Sequence, residues 1–225
     1  RSALNGSDQP FFTNQVAWRA TIPATADLPP AARVFLGPGR HLVTYPLRGG
    51  ALQNIVAVEE RKRWAEESWS LTDDPLALRI AFEDFLPEVR DWLDRIERPN
   101  LWGLFRHPVA RHWYGQGAVI LGDAAHPTLP FLAQGANMAL EDAWVLAESL
   151  AHHPMSEAFA TYQHAREARS RRIVSAANAN ARHYHLSGLR RDLAHTALRL
   201  ADRFAPNAAA NRFRWLYAHD VTHQP

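Results

Sequence analysis

The sequence predicts an α+β fold, and three patterns lead to that prediction. Alternating, β-rich segments at Gln15–Thr21, Arg40–Pro46 and Gln53–Val58 indicate antiparallel strands. The apolar run Ala118–Leu121 stops at a glycine and leads through a proline-containing loop into an apolar helix. Helical periodicity fills the chain after residue 150. We therefore expect a mixed or antiparallel sheet with helices, a strand–loop–helix unit and C-terminal helices.

Turn signals separate the predicted strands. Gly49-Gly50 marks a hairpin turn between the second and third strands, and Gly37-Pro38-Gly39 predicts a tight turn before the second strand. The charged stretch 59–73 is interpreted as a solvated loop or edge. Further strands are predicted over Leu101–Arg106 and at Trp113-Tyr114, followed by a turn that leads into Ala118.

Proline positions define two short helices after the first strands. Asp74-Pro75 begins one helix with proline at its first position, and Leu86-Pro87 leads to another that ends near Asp94. We expect the first of these helices to be buried through Leu76, Ile80 and the Phe82–Phe85 run.

The long helices follow the middle loop. Gly135 begins a helix whose apolar positions recur at helical spacing; they are Ala136, Ala139, Leu140, Ala143, Leu146, Ala147 and Leu150. Two more helices are predicted over Met155–Asn178 and Leu189–Phe204, with a break at Pro206. The basic run Arg166–Arg172 favours a solvated helix face.

Composition narrows the class of protein. The 225 residues are 47% hydrophobic and 21% charged, which is ordinary for a globular protein with one sizeable core. No apolar run approaches the roughly 18 residues of a membrane-spanning helix. The absence of cysteine excludes disulfides and thiolate metal sites, so we expect a cytoplasmic protein. Acids and bases are interspersed and the formal net charge is only +2, so no nucleic-acid partner is expected.

The strand–loop–helix unit carries the strongest chemical signal. Backbone N–H groups of the glycine-lined loop and the positive end of the helix dipole at Gly135 suit a large ligand with electron-rich oxygens. Asp123 places one acid in apolar surroundings, although an arbitrary acid beside a glycine more often only caps a turn.

This unit resembles a known flavin motif. The runs Gly122-Asp-Ala-Ala-His-Pro127 and Pro130-Phe-Leu-Ala-Gln-Gly-Ala-Asn137 are similar to the second flavin-binding motif of the single-component FAD-dependent aromatic hydroxylases. Such enzymes include p-hydroxybenzoate and salicylate hydroxylases. The resemblance implies an acid on the ribityl and pyrophosphate part of FAD, a loop along the isoalloxazine and helix-start N–H groups at its pyrimidine edge. The implied FAD-binding residues are Gly122, Asp123, Pro130, Gly135, Ala136 and Asn137.

The resemblance covers the C-terminal part of such an enzyme. The Gly-x-Gly-x-x-Gly turn that holds the ADP pyrophosphate does not occur in this sequence. The resemblance therefore implies part of an α/β FAD-binding fold from which the N-terminal Rossmann half is absent, and that half is expected as a partner. The implied division is a substrate-binding domain over 1–115, a second FAD-binding segment over 116–151 and a helical region over 152–225.

His41 and Tyr45 are the candidate substrate residues. They lie four residues apart on a predicted strand, so both side chains point to one face of the sheet. Taken alone, the pair favours two half-buried polar side chains at a sheet edge. It resembles, however, the histidine and tyrosine of the 3-hydroxybenzoate 6-hydroxylase branch, which implies that His41 deprotonates a substrate phenol and Tyr45 lines its site. In that branch Gln134 corresponds to a residue that contacts the substrate, and Arg19 is a weaker candidate for holding a carboxylate.

The resemblance implies a reaction. We expect an FAD-dependent monooxygenase that hydroxylates a phenolic aromatic acid such as a hydroxybenzoate or salicylate, using NADH or NADPH and O2 through a C4a-hydroperoxyflavin. Two alternatives stay open: a hydroxylase of another heteroaromatic such as urate, or a catalytically incomplete C-terminal fragment unable to hold FAD alone. Because homodimers are common among such enzymes, a second copy of the chain is a candidate partner.

Two other chemistries are weighed and set aside. His152-His153 and His183-x-His185 have no carboxylate or cysteine at useful spacing, and His-x-His on a helix directs its two rings apart, so no metal is expected. Asp123 with His126 does not make a hydrolase, because no Gly-x-Ser-x-Gly segment supplies a nucleophile.

Overall fold

Two compact units organise the chain in the computed structural model, which describes residues 1–25, 28–62, 71–205 and 207–223. The sheet unit comprises Phe12–Phe105 and His183–Gly188. The helical unit comprises Arg1–Phe11, Arg106–Arg182 and Leu189–Pro225. The predicted solvated stretch 59–73 falls partly outside the described residues, and the predicted helix break at Pro206 falls wholly outside them.

A five-stranded sheet forms the frame of the sheet unit. Its strands are β1 (Phe11–Pro23), β2 (Arg33–Gly37), β3 (Arg40–Leu47), β4 (Leu52–Glu60) and β5 (Asn100–Arg106), in the order β2-β3-β4-β1-β5. The β2·β3, β3·β4 and β4·β1 ladders are antiparallel. The predicted strands and the hairpin turn are therefore confirmed.

Two short helices belong to the sheet unit, α2 (Pro75–Ala81) and α3 (Pro87–Asp94). As predicted, α2 begins at a proline, and the Asp74 carboxylate caps it by accepting a hydrogen bond from the Leu76 N–H. Their buried side chains share one core with β1, β3, β4 and β5; its large members are Trp18, Leu42, Ile55, Leu78, Phe82, Val89, Trp92, Leu93 and Leu101.

The predicted buried face of α2 is wrong at two positions. Leu76 and Ile80 are 54% and 58% exposed, whereas Leu78 and Phe82 are fully buried. Residues four apart lie on the same face of a helix, whereas residues two apart lie on nearly opposite faces. Because Leu78 and Phe82 are in the core, Leu76 and Ile80 therefore point outward. Phe82 packs edge-on against Trp18, which fixes this choice.

The helical unit is built mainly on three long helices, α4 (Gly135–His152), α5 (Met155–His183) and α6 (Gly188–Phe204). Its shorter elements are α1 (Ser2–Asn5), β6 (Tyr114–Gly115), β7 (Ala118–Val119), α7 (Ala208–Arg212) and α8 (Arg214–Tyr217). Single 3₁₀ turns lie at Gly122–Ala124, Pro130–Leu132 and Val221–His223. Within the described residues, no helix combines the length and the apolar character that crossing a bilayer requires.

Three expectations for the helical unit are wrong in detail. The strand before the loop is only the two residues of β7, paired with β6, and Leu121 is 36% exposed rather than buried. The apolar stripe of α4 lies outward, with Leu140 70% exposed, because the buried face of this helix carries the acid Asp142 instead. Arg166 is fully buried and is no part of a solvated face.

Candidate functional site

The loop that resembles a flavin motif begins at Gly122, where the backbone requires glycine. Its φ is +57°, a left-handed conformation that side chains with a Cβ rarely adopt. A Cβ built there would lie 3.1 Å from the Cβ of Ala139 on α4. Glycine thus lets the loop turn and lie directly against the helix, and the Gly122 carbonyl accepts the N–H groups of Ala125 and His126 at 2.9 Å each.

A buried polar network holds this loop to the helices. The Asp142 carboxylate on α4 accepts the Gly122 N–H at 2.9 Å and lies 2.5 Å from His126 Nε2. Its other oxygen accepts Arg166 Nε–H from α5 at 2.9 Å, and Glu141 is 2.6 Å from the same guanidinium. Burial alone raises the pKa of Asp142, but the hydrogen bonds from His126 and Arg166 outweigh it and leave that pKa below its usual value. A charged Asp142 therefore fixes the loop.

Sequence reasoning missed this network. The signal available was the acidic pair Glu141-Asp142 within the apolar stretch of the helix, together with His126 in the loop and a basic run on the next helix. Buried charges are retained only where partners satisfy them, so such an acid predicts a cation from elsewhere in the chain. The run Arg166–Arg172 was the source of that cation.

The loop and the first turn of α4 present polar groups outward. Asp123, Pro130, Ala136 and Asn137 are exposed, and Gly135 is half-buried. Within the described part of the chain, no side chain caps α4. Its first N–H groups and the positive end of its dipole are therefore left without a side-chain partner, and the Asp123 carboxylate in the preceding loop is exposed. Such donors suit phosphate and carbonyl oxygens, and a carboxylate suits ribityl hydroxyl groups, so the residues fit FAD.

Gln134 lies directly before this helix. Its side chain is only 4% exposed and it occupies the N-cap position of α4 without capping it. The residue before it, Ala133, has a left-handed φ of +52°, so the loop turns sharply into the helix at this point. The predicted flavin residues and Gln134 all belong to the helical unit.

The predicted substrate residues lie together in the sheet unit. Arg19 of β1 and Val43 of β3 are both opposite Val56 of β4, so Arg19 shares the sheet face of His41, Val43 and Tyr45. Tyr45 is 38% exposed. The structure therefore brings the three predicted side chains to one face, the face opposite the α2–α3 core.

Arg19 is a partly buried cation on this face. Its guanidinium lies 4.2 Å from the centroid of the Trp102 ring. Its Nε is buried and, among the described residues, has no hydrogen-bond partner. Burial lowers the pKa of Arg19 and the neighbouring Tyr45 opposes that shift. A planar cation with an unused buried donor is suited to a carboxylate.

His41 is 1% exposed, and one polar partner of its ring is a residue whose role the sequence did not reveal. Nδ1 of His41 lies 2.7 Å from Nε2 of His185. The expectation that His183-x-His185 lies on one helix is wrong, because α5 ends at His183 and His185 lies in the turn after it. Burial first, and His185 second, lower the pKa of His41 to about 3, so its imidazole is neutral at neutral pH.

The His185 ring is in turn held from the sheet. Its Nδ1 lies 3.0 Å from Glu60 Oε1 and 3.2 Å from Gln15 Nε2, two side chains that are cross-strand neighbours on β4 and β1. Among the described residues, no cluster of three or more His, Cys, Asp or Glu side chains is arranged to hold a metal ion.

Comparison with known proteins places this chain in a family. The model of the FAD binding domain matches residues 41–177, more than half of the chain. This chain belongs to the FAD binding domain family. FAD is therefore the cofactor that this family binds. The α+β fold expected from the sequence is confirmed by this family and by the similarity to solved members described next.

Relatives within the family act on aromatic acids. The chain is 34% identical over 227 residues to 3-hydroxybenzoate 6-hydroxylase 2 of Aquipseudomonas alcaligenes, covering 96% of this chain and 68% of that protein. It is 33% identical to 3-hydroxybenzoate 6-hydroxylase of Polaromonas naphthalenivorans (strain CJ2), covering 95% and 54%. A solved salicylate hydroxylase substrate complex shares the fold, with a TM-score of 0.79 and 24% identity over 96% of this chain and 56% of that one. The chain thus spans about half to two thirds of these relatives.

Proposed function

We propose that this chain forms the substrate-binding and second flavin-binding part of an FAD-dependent monooxygenase that hydroxylates a hydroxybenzoate-like phenolic acid, with NADH or NADPH as reductant. The observation that carries the proposal is the sheet face on which Arg19, His41 and Tyr45 meet. One partly buried cation with an unused donor, one neutral histidine and one phenol complement a carboxylate, a phenol and an aromatic ring.

The cofactor supplies the chemistry that protein side chains lack. When bound, FAD would supply the activation of dioxygen after reduction by NAD(P)H. We assign its binding to Asp123, Pro130 and the helix start at Gly135, Ala136 and Asn137, with Gly122 allowing the loop to lie against α4. The uncapped N–H groups stabilise negative charge on a bound ligand at little reorganisation cost, because Asp142 already fixes the loop.

We assign each residue a role toward the substrate from the charge and the hydrogen-bonding groups of its side chain. Arg19 binds the carboxylate, which fixes the orientation of the ring. His41 accepts the phenolic proton and raises the electron density of the ring, while Tyr45 lines the face beside it. Gln134 is assigned to substrate contact through the similarity to the 3-hydroxybenzoate 6-hydroxylases alone.

We further propose that a nucleotide-binding segment completes the FAD site. The outward apolar residues of the helical unit support this: Leu121, Leu140, Trp144 and Leu150 are 36% to 70% exposed. Several large apolar side chains exposed on one unit are typical of a surface that another segment covers. The alternative of a fragment that cannot hold FAD alone is tested by visible absorbance during FAD titration of the chain. If the unmodified chain retains FAD and the Asp123→Ala variant does not, the result supports the assigned loop. If the unmodified chain does not retain FAD, the result supports the alternative of an incomplete fragment.

Substrate recognition is tested by calorimetric titration with 3-hydroxybenzoate. Replacing the cation in Arg19→Met removes a charge-assisted hydrogen bond, worth about 1.5–3 kcal/mol, and should weaken binding roughly 10- to 150-fold. The matched control is Arg98→Met, at an exposed arginine of the same unit. With 3-hydroxybenzyl alcohol, which lacks the carboxylate, Arg19→Met and the unmodified chain should bind equally. Equal loss of both ligands would contradict the assigned role.

A further inference from the structure

Next to His41, the structure shows a chain of polar groups that leads from the buried strand to the edge of the sheet. We propose that His185 and Glu60 act as positioning residues for His41, fixing its tautomer and taking over the proton it accepts. The proposal rests on the proposed function of His41 as the acceptor of a phenolic proton. All of its members belong to the sheet unit, since the segment His183–Gly188 packs there.

The contacts form an unbroken series of hydrogen bonds. Glu60 Oε1 lies 3.0 Å from His185 Nδ1, and His185 Nε2 lies 2.7 Å from His41 Nδ1. The side chains of His41 and His185 are both almost completely buried, whereas the Glu60 side chain is 56% exposed. The series therefore begins in the interior at His41 and reaches water at Glu60.

The Glu60 carboxylate determines which ring nitrogens of His185 and His41 donate and which accept hydrogen bonds. A carboxylate only accepts hydrogen bonds, so at Glu60 it selects the His185 tautomer with its proton on Nδ1. His185 Nε2 then carries a lone pair and accepts Nδ1–H of His41. In a neutral imidazole with its proton on Nδ1, Nε2 is the proton acceptor. Glu60 and His185 therefore place the proton of the neutral His41 ring on Nδ1 and leave Nε2 as its basic nitrogen.

Gln15 is consistent with this order. Its amide lies 3.2 Å from His185 Nδ1, and its Oε1 is buried without a partner among the described residues. Exchanging the two ends of the amide makes Oε1 the atom that faces His185 Nδ1–H and accepts part of that bond, with Nε2 in the buried position that Oε1 leaves. The carboxylate and the amide then both accept from the same donor, as in a three-centre bond.

The series from His41 through His185 to Glu60, called the relay below, explains how His41 can accept a phenolic proton although it is a weak base. An isolated imidazole whose pKa lies near 3 is too weak a base to keep a phenolic proton near neutral pH. Burial also lowers the pKa of His185, but the hydrogen bond and the charge of Glu60 oppose that shift. Among the described titratable groups, Tyr184 contacts the His41 ring edge-on and Glu60 contacts His185. A proton is therefore better placed on His185 than on His41.

The proposed step conserves protons and charge. The phenol O–H bond breaks as its proton bonds to His41 Nε2, and the electron pair stays on the phenolate oxygen. The Nδ1–H bond of His41 breaks as that proton bonds to Nε2 of His185. His41 ends neutral, and the positive charge lies on His185 beside the Glu60 carboxylate.

The tautomer is measured without substrate or cofactor. Two-dimensional ¹H–¹⁵N spectra of the imidazole nitrogens in the full 225-residue chain at neutral pH should show His41 protonated at Nδ1, the minor tautomer of free histidine. His185→Leu removes the acceptor, and His41 should then change to the Nε2–H tautomer. His185→Gln offers an amide oxygen in its place and should restore Nδ1–H. An Nε2–H tautomer in the unmodified chain would overturn the proposal, whether or not a phenol binds.

Proton transfer is measured on a bound phenol. The ultraviolet spectrum of bound 3-hydroxybenzoate reports the fraction of phenolate across a pH titration. Glu60→Gln keeps the shape but removes the charge, and should reduce the phenolate-to-phenol ratio about tenfold at a fixed pH, one pKa unit. His185→Gln should reduce it as well although it keeps the tautomer. The matched control Glu59→Gln, on the opposite face of β4, should leave the ratio unchanged.

The two measurements separate the possible failures. Equal phenolate fractions in Glu60→Gln, His185→Gln and the unmodified chain would overturn the relay while leaving His41 as the proton acceptor. Failure of the unmodified chain to bind 3-hydroxybenzoate, with Nδ1–H still found on His41, would overturn the proposed function and support the assigned positioning by His185 and Glu60.

Discussion

The buried neutral histidine predicts a specific loss of stability in acid. The pKa of His41 falls from 6.5 to about 3 on folding. Between these values the unfolded chain binds a proton at this residue and the folded chain does not. The free energy of unfolding therefore falls as the pH falls through this window, and the contribution of His41 is fully retained only above pH 6.5.

The size of the expected loss of stability follows from the pKa shift of His41. One pKa unit corresponds to about 1.4 kcal/mol, so acidification from pH 7 to pH 5 should cost about 2 kcal/mol through His41 alone. In His41→Gln this contribution is absent, and the free energy of unfolding should fall by about 2 kcal/mol less over the same interval. The pKa values of His185, Asp142 and Glu141 are also lowered, and these residues are present in both proteins, so the comparison isolates the contribution of His41.

Urea unfolding followed by circular dichroism at pH 7, 6 and 5 measures the difference. The matched control is His153→Gln, since His153 is exposed and water surrounds its ring in the folded and the unfolded chain alike. The control should keep the slope of the unmodified chain. An equal slope in His41→Gln and the unmodified chain would refute the reasoning, because it would mean that the folded protein does not exclude a proton from His41.

Three further outcomes follow from the packing and are measured by urea unfolding at pH 7. Gly122→Ala should destabilise the helical unit by about 1–3 kcal/mol, because a Cβ there meets strain and a contact of 3.1 Å; Gly6→Ala, at the similar φ of +75° with open space around it, is the control and should cost less. Arg166→Met should cost about 3–5 kcal/mol by leaving the buried Asp142 charge without its cation, and a loss below about 1 kcal/mol would contradict that pairing. Asp74→Ala should cost about 1 kcal/mol through the lost helix cap, and an unchanged stability would show that the cap contributes nothing.

Local patterns predicted the elements well because the signals are local. Alternation located β1, β3 and β4, the two glycines located the hairpin, and Pro75 and Pro87 located the starts of α2 and α3. These features depend on backbone geometry within a few residues. The same holds for the flavin-like loop, whose glycine and helix start stand where the motif predicted them.

Burial was less predictable because it depends on what packs from elsewhere. In α4 the apolar stripe suggested a core face, yet Leu140 is exposed and Asp142 is buried, since Arg166 from α5 and His126 from the loop meet the carboxylate. In the sheet unit, His185 was missed because its role depends on where α5 ends. A change of two residues in that boundary moves the ring from a helix face to the turn where it meets the sheet.

The network around Asp142 and the series from His41 to Glu60 each contain histidine, but the histidines have different roles. The difference depends on whether the carboxylate of the group is exposed to solvent. His126 is paired with Asp142, 16 residues away, and both side chains are fully or almost fully enclosed. Neither side chain has appreciable contact with solvent, and the Asp142 carboxylate also accepts the Gly122 N–H, so this pair holds the loop. His41 is linked to the Glu60 carboxylate through His185, 144 residues away in sequence, and the Glu60 side chain is half exposed to solvent. Under the proposed relay, a charge moved along that series ends where water can stabilise it.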